Sequence, residues 1–280
     1  MQIEDVGILL EKKFFRDDSD IITIFSRYHG LCSGIYKSRK KSLGGIIEGD
    51  LVSFTKKARL STHLGLIKCE SIKPYGYAIL NDKYQLYAFK AIASLIKSSF
   101  CETENNDHKE FFDDLERFLE LNINDICSVD KDKFIYLIKL FLQYILLEIS
   151  LLKTHGFKLS LDKCVVNNNN YNLYYVSPKS ACAVSREAGS SYHDKMLIYP
   201  KILQSFILET NKTTNQSNNY SKKFCYEDIS KQNIYDSAAL TLFFLKKNSL
   251  ISQSKNSFDR SYNILNERNI FIDMVISSLT

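Results

Sequence analysis

The sequence predicts an α+β protein in which a small five-stranded β-barrel precedes a mainly α-helical region. Two observations carry that prediction. The first 75 residues hold five short segments that mix β-branched, aromatic and polar residues, with glycines at most of the junctions. From about residue 80 the apolar positions recur at helical spacing instead. The chain has 280 residues, 45% of them hydrophobic, enough to bury a core in one or two domains.

The expected strands are Val6 to Phe15, Asp20 to Tyr28, Leu31 to Lys37, Ile46 to Lys56 and Gly65 to Lys73. Five strands in about seventy residues suit the Greek-key barrel of the OB-fold. An SH3-like barrel satisfies the same pattern, and periodicity does not separate the two. Helices are expected over Tyr84 to Ser98, His108 to Leu121, Lys131 to Thr154, Ile234 to Lys247 and Asp259 to Leu279. In the third, Phe134, Leu137, Ile138, Phe141, Ile145, Ile149 and Leu152 form one stripe with apolar neighbours on both sides, the pattern of a central helix. Lys139, Gln143 and Glu148 argue against a membrane span there, because a charge at a bilayer centre costs roughly 2.5 to 3.5 kcal/mol. His155 and Gly156 supply a stop, with glycine free to take a left-handed cap. Asn167 to Asn172 reads as a turn, and Tyr174 to Pro178 as a short strand ended by proline. Thr210 to Ser221, rich in Asn, Thr and Ser, reads as a flexible polar excursion. The acidic start, Met1 to Asp5, lacks the basic and apolar regions of a secretion signal.

A catalytic constellation is hard to assemble. His29 and His155 precede glycines and read as turn or cap residues, and His193 with Asp194 lacks a nucleophile elbow. The chain has no Walker A loop, dinucleotide fingerprint or H-E-x-x-H helix. Asp17, Asp18 and Asp20 cluster in a turn without the glycine and distal glutamate of an EF-hand. The seven cysteines include no C-x-x-C pair, which argues against a zinc ribbon or a disulfide framework.

Charge is the informative feature. Residues 31 to 60 carry Lys37, Arg39, Lys40, Lys41, Lys56, Lys57 and Arg59 against only Glu48 and Asp50, and this equals the net +5 of the whole chain. Such a local excess suits a polyanion. Both clusters leave predicted strands, so a Greek-key barrel can bring them to one side. Tyr28, Tyr36 and Phe54 are nearby aromatics able to stack on bases, worth about 1 to 3 kcal/mol per base, although Phe54 alternates with Val52 as a core residue would.

Several strings are distinctive as they stand: Asp20-Ile21-Ile22-Thr23-Ile24-Phe25, Tyr28-His29-Gly30, Glu48-Gly49-Asp50, Lys57-Ala58-Arg59-Leu60 and His63-Leu64-Gly65. Further on come Gly156-Phe157, Leu161-Asp162-Lys163-Cys164, Tyr175 to Ser180, Ala183-Val184-Ser185-Arg186 and Ala188-Gly189, then Leu240-Thr241 and Phe244-Leu245. In these strings the chain resembles the bacterial RecO family of DNA repair proteins. The resemblance implies an N-terminal OB-fold over residues 1–78 and a helical domain over 79–280, with a zinc-finger-like lobe at about 160–190 and the polar excursion at about 210–222. It implies no enzymatic turnover, cofactor or small-molecule substrate. It further implies a cytoplasmic, nucleoid-associated protein of the RecF pathway that binds single- and double-stranded DNA and anneals complementary strands. Such a protein works with RecR to load RecA onto DNA coated by the single-strand-binding protein SSB, whose C-terminal tail it binds. The family's DNA-contacting surface corresponds here to Tyr36, Lys37, Arg39, Lys40, Lys41, Lys56, Lys57 and Arg59, with Lys56 standing where relatives often carry an aromatic.

The resemblance also bears on metal. Cys164 corresponds to the first ligand of the four-cysteine zinc site that many relatives carry, but Asn167 occupies the next ligand position and the later cysteine pair is missing. Cys182 lies nearby at the wrong spacing, and two thiols do not close a structural zinc site, so a metal-free lobe is expected. By residue chemistry alone, an RNA-binding OB module or a protein-only adaptor would satisfy the same surface.

Overall fold

The computed structural model describes residues 2–16, 18–37, 45–59, 64–101, 108–126, 133–213, 229–251 and 258–279. The described residues form two compact units, Met1–Leu140 with Leu250–Phe271, and Phe141–Ser249 with Ile272–Thr280.

The first unit begins with five strands: β1 (Gln2–Arg16), β2 (Ser19–Ser26), β3 (Gly30–Lys37), β4 (Leu51–Lys57) and β5 (Leu66–Lys73). They close into a barrel in the order β1-β2-β3-β5-β4, with β1 paired to both β2 and β4 and with β3 parallel to β5. This strand order decides for the OB arrangement. Alternation sets the core: Ile22 and Ile24 of β2, Val52 and Phe54 of β4, and Ile3, Leu9, Cys32, Ile46 and Ile67 all point inward. Closure depends on Gly34, where an added Cβ would lie 2.6 Å from the Ile67 side chain. The segment expected to open the fourth strand is a loop up to Asp50. Gly49 there has φ +97°, and the buried Asp50 carboxylate accepts N–H groups from Ile47 and Gly76, both at 2.9 Å.

Those bonds tie the loop to α1 (Tyr75–Asn81), a short helix that sequence periodicity does not reveal. Asp82 caps α2 (Lys83–Ser99) by accepting from the Tyr84 and Gln85 amides. With α3 (Lys109–Ile126), α2 covers the outside of the barrel through an aromatic cluster in which Phe25 of β2 meets Phe100, His108, Phe111 and Phe112 at 4.9 to 6.0 Å.

In the second unit, the later turns of α4 (Lys133–Thr154) bury Phe141, Tyr144, Ile145 and Leu152, with Glu148 fully buried and bonded to Thr241 of α7 (Lys231–Lys247). By length and composition alone this helix could cross a membrane, but its most apolar window is mostly buried inside the protein. A three-stranded sheet, β7-β6-β8, follows, from β6 (Leu173–Val176), β7 (Ala183–Ser185) and β8 (Leu197–Ile198). The one-turn α5 (Arg186–Gly189), a 3-10 helix (Ser190–Lys195) and α6 (Lys201–Thr213) belong to the same unit, and α8 (Phe258–Ser277) is divided between the two. The polar excursion lies outside the described residues from position 214 onward.

Candidate nucleic-acid interface

Directly paired residues on neighbouring strands share a face of the sheet, so the register shows which side chains meet. One row runs across all five strands: Lys57 of β4 pairs with Leu66, Leu66 with Ile35, Ile35 with Ile21, and Ile21 with Lys13 of β1. The next row on the same face pairs Lys37 with Ser19 and Ser19 with Arg16. With strands roughly 4.8 Å apart, Lys37 and Arg16 stand about 10 Å from each other. The outer wall at this end of the barrel is therefore an apolar strip, Leu66–Ile35–Ile21, bordered by Lys57, Lys13, Arg16 and Lys37. Leu66 is 52% exposed, and all four cations are exposed.

The electrostatics of the two barrel ends differ. At the end near α3, Arg27 bridges Asp113 and Glu116 at 3.0 Å, and Lys73 bridges Glu116 and Glu120 at 3.2 and 3.3 Å. The neighbouring Tyr75 side chain and hydrogen bonds with the two glutamates hold the Lys73 ammonium above its ordinary pKa. At the other end Lys12 is paired with Asp20 and Lys13 with Glu11, but Arg16, Lys37, Lys57 and Arg59 make no ion pair with a described residue. The two acidic residues of the basic stretch are turned to structure. Glu48 accepts the Lys12 amide at 2.8 Å, and Asp50 is only 2% exposed. Their charges therefore serve backbone N–H groups as well as offsetting the field. Glu11 is shared by Lys97 at 2.8 Å and Lys13 at 3.0 Å; burial pushes its carboxyl up, but those bonds outweigh it and hold the pKa below the usual range.

Not every residue singled out by sequence joins this surface. Lys56 is 4% exposed, because it continues the inward alternation of Val52 and Phe54; it lines the barrel rather than its outer wall. Tyr36 is half-buried against the core, with the Lys12 ammonium 5.9 Å from its ring centre. Phe54 is core. Tyr28 is exposed but sits in the β2–β3 turn, at the opposite end of β3 from Lys37. Arg39, Lys40 and Lys41 lie outside the described residues. Sequence reasoning missed Lys13 and Arg16, whose charges are masked by the neighbouring Glu11, Asp17 and Asp18.

In the second unit, pairs spaced like zinc ligands do converge: Cys164 and Asn167 meet Ser185 and Ala188. The donor set does not fit zinc, because only one of the four is a thiol. Hydrogen bonds take the place of ligation. Cys164 Sγ accepts the Ser185 amide at 3.2 Å, Ser185 Oγ accepts from Asn167 Nδ2 at 3.2 Å, and the Ala188 amide bonds to the same oxygen at 3.4 Å. Burial pushes the Cys164 thiol up, yet the N–H groups of Asn167, Ser185 and Val166 outweigh it and hold the thiol below its ordinary value. Cys182 points elsewhere, toward the Ser180 carbonyl.

Comparison with known proteins adds identity to this geometry. Residues 80–223 match the family described as recombination protein O C terminal. The DNA repair protein RecO of Rickettsia felis is 44% identical over 207 residues, 73% of this chain and 81% of that protein. The DNA repair protein RecO of Rickettsia canadensis is 44% identical over 206 residues, covering 73% of this chain and 79% of its own length. The match extends over more than half of the chain and most of each relative, and with the OB-type barrel it establishes that this chain belongs to the RecO family of DNA repair proteins.

Proposed function

We propose that the chain is a non-enzymatic DNA-binding and strand-annealing protein of recombinational repair by the RecF pathway. In this reading the barrel, residues 1–78, holds the phosphate backbone, while residues 79–280 form the scaffold. The protein works with RecR to load RecA onto SSB-coated single strands in the cytoplasm, engaging the SSB C-terminal tail. Annealing two polyanions needs dispersed cations to screen their repulsion rather than a reacting group. The observation that carries the reading is the outer row of the barrel, where Lys57, Lys13, Arg16 and Lys37 surround an apolar strip. In this reading the DNA is contacted by Lys37, Lys57 and Arg59 of the described residues and by Arg39, Lys40 and Lys41 outside them, and the buried Lys56 is left out.

The test is oligonucleotide affinity at several salt concentrations for wild type and the Lys37→Ala/Arg39→Ala/Lys40→Ala/Lys41→Ala variant. The variant should bind single strands more weakly, anneal more slowly, and lose about 0.7 from the logarithmic salt slope for each single-strand phosphate contact removed. Circular dichroism should be unchanged. A folded variant with wild-type affinity and slope would refute the basic turn as the DNA surface. Competition with RNA oligonucleotides decides against DNA if RNA displaces it at equal concentration.

A further inference from the structure

The end of β1 carries a feature that electrostatic binding does not require. Phe14 is 78% exposed and Phe15 is 39% exposed, side by side on a strand that runs on past the packed core. A single exposed aromatic is ordinary on a protein surface; two adjacent ones set among cations are a different matter. A register shift between Phe14 and Arg16 makes Phe15 the extra residue of a β-bulge, and bulges re-aim side chains. Phe14 pairs with Asp20 and so shares the core-facing side with Tyr36, but beyond the packed core, at the rim, its ring is open to solvent. Arg16 lies 5.1 Å from the Phe15 ring centre, and across β2 it aligns with Lys37. Asp20, the acidic neighbour, is already paired with Lys12 at 3.6 Å.

We infer that Phe14 and Phe15 form a stacking platform for unpaired bases at the rim of the barrel, where Phe15 lies against Arg16 and the outer-wall cations Arg16 and Lys37 hold the same strand by its phosphates. The inference rests on the DNA-binding reading above and deepens it, by assigning the preference for single strands to two residues outside the basic turn. Bases in a duplex already stack on each other, so a platform of this kind selects single-stranded nucleic acid. Stacking tolerates any base, in keeping with a protein that must act on any sequence.

The experiment measures fluorescence anisotropy of two labelled probes of equal length, single-stranded oligo-dT and its abasic analogue, over a range of salt. Wild type should prefer the oligo-dT. The Phe14→Ala/Phe15→Ala variant should lose about 5- to 150-fold in oligo-dT affinity per base no longer stacked, with an unchanged salt slope and unchanged abasic binding. Arg16→Ala/Lys37→Ala should weaken both probes and flatten the slope. Phe14→Ser alone, at a position 78% exposed, gives the same direction without risk to the fold. If the aromatic variants bind oligo-dT like wild type while the cation variant is weakened, the stacking platform is wrong and the DNA-binding reading stands. If wild type binds neither probe, both fall.

Discussion

Replacing Asp50 tests whether the barrel and its first helix are joined by one buried carboxylate. Its Oδ2 accepts the Ile47 amide and its Oδ1 the Gly76 amide, each at 2.9 Å, while its backbone oxygen accepts the Leu9 amide at 3.0 Å. The side chain thus links the loop before β4 to the start of α1, while the backbone oxygen, which a substitution leaves in place, links it to β1. The fit is close enough that an added Cβ at Gly76 would lie 2.6 Å from the Glu48 carbonyl oxygen. Asp50→Ala removes two bonds to an ionised acceptor, each worth about 1.5 to 3 kcal/mol, and strands two N–H groups. Release of the carboxylate from its own desolvation offsets part of that, leaving an expected loss of about 2 to 4 kcal/mol. Asp50→Asn keeps one oxygen as acceptor and should cost about half as much. The assay is urea unfolding followed by circular dichroism and tyrosine fluorescence, since the chain has 17 tyrosines and no tryptophan. For a slope near the upper end of about 1 to 3 kcal/mol per molar urea, the alanine midpoint falls by roughly 1 M. A loss under about 0.5 kcal/mol for Asp50→Ala, the scale of an ordinary surface substitution, would refute the reasoning.

Three further outcomes follow from the electrostatics and the thiol cluster. Because Glu11 titrates below its ordinary value of 4.5 in the folded protein, its stabilisation is fully present above that value and is lost as pH falls through the lower folded value. Lys97→Met should therefore shrink the stability difference between about pH 6 and pH 3. Coincident pH profiles for variant and wild type would count against the pairing. Ser185→Ala removes the oxygen that serves Asn167 and caps α5, an expected cost of about 1 kcal/mol or about 2 to 4 °C in Tm. The purified protein should contain no stoichiometric zinc in either form. An unmoved midpoint, or close to one zinc per chain by elemental analysis, would overturn the reading of this cluster as hydrogen-bonded and metal-free.

Local pattern made much of the fold legible. Alternation and glycine placement marked the five strands, and the apolar stripe at helical spacing from Phe134 to Leu152 marked a core helix, since both signals arise between residues close in sequence. The inward position of Lys56 was legible too, in its parity with Val52 and Phe54, but its charge drew it to the surface in the sequence reading. The helix at Tyr75–Asn81 left no such trace, for it is short, contains Gly76, and is held by a carboxylate 26 positions earlier.

The interface divides along the same line. Sequence alone determined that residues 31 to 60 hold the excess positive charge and that the strings belong to a DNA repair family. Tertiary structure decided which of those charges share a wall. Tyr28 and Lys37 are nine residues apart yet stand at opposite ends of β3, whereas Arg16 and Lys37, 21 apart, align across a single strand. Lys57 joins them only because the parallel pairing of Ile35 with Leu66 closes the barrel. Strand register and closure are set by contacts between distant segments, and hydrophobic periodicity is the same whichever strand ends meet.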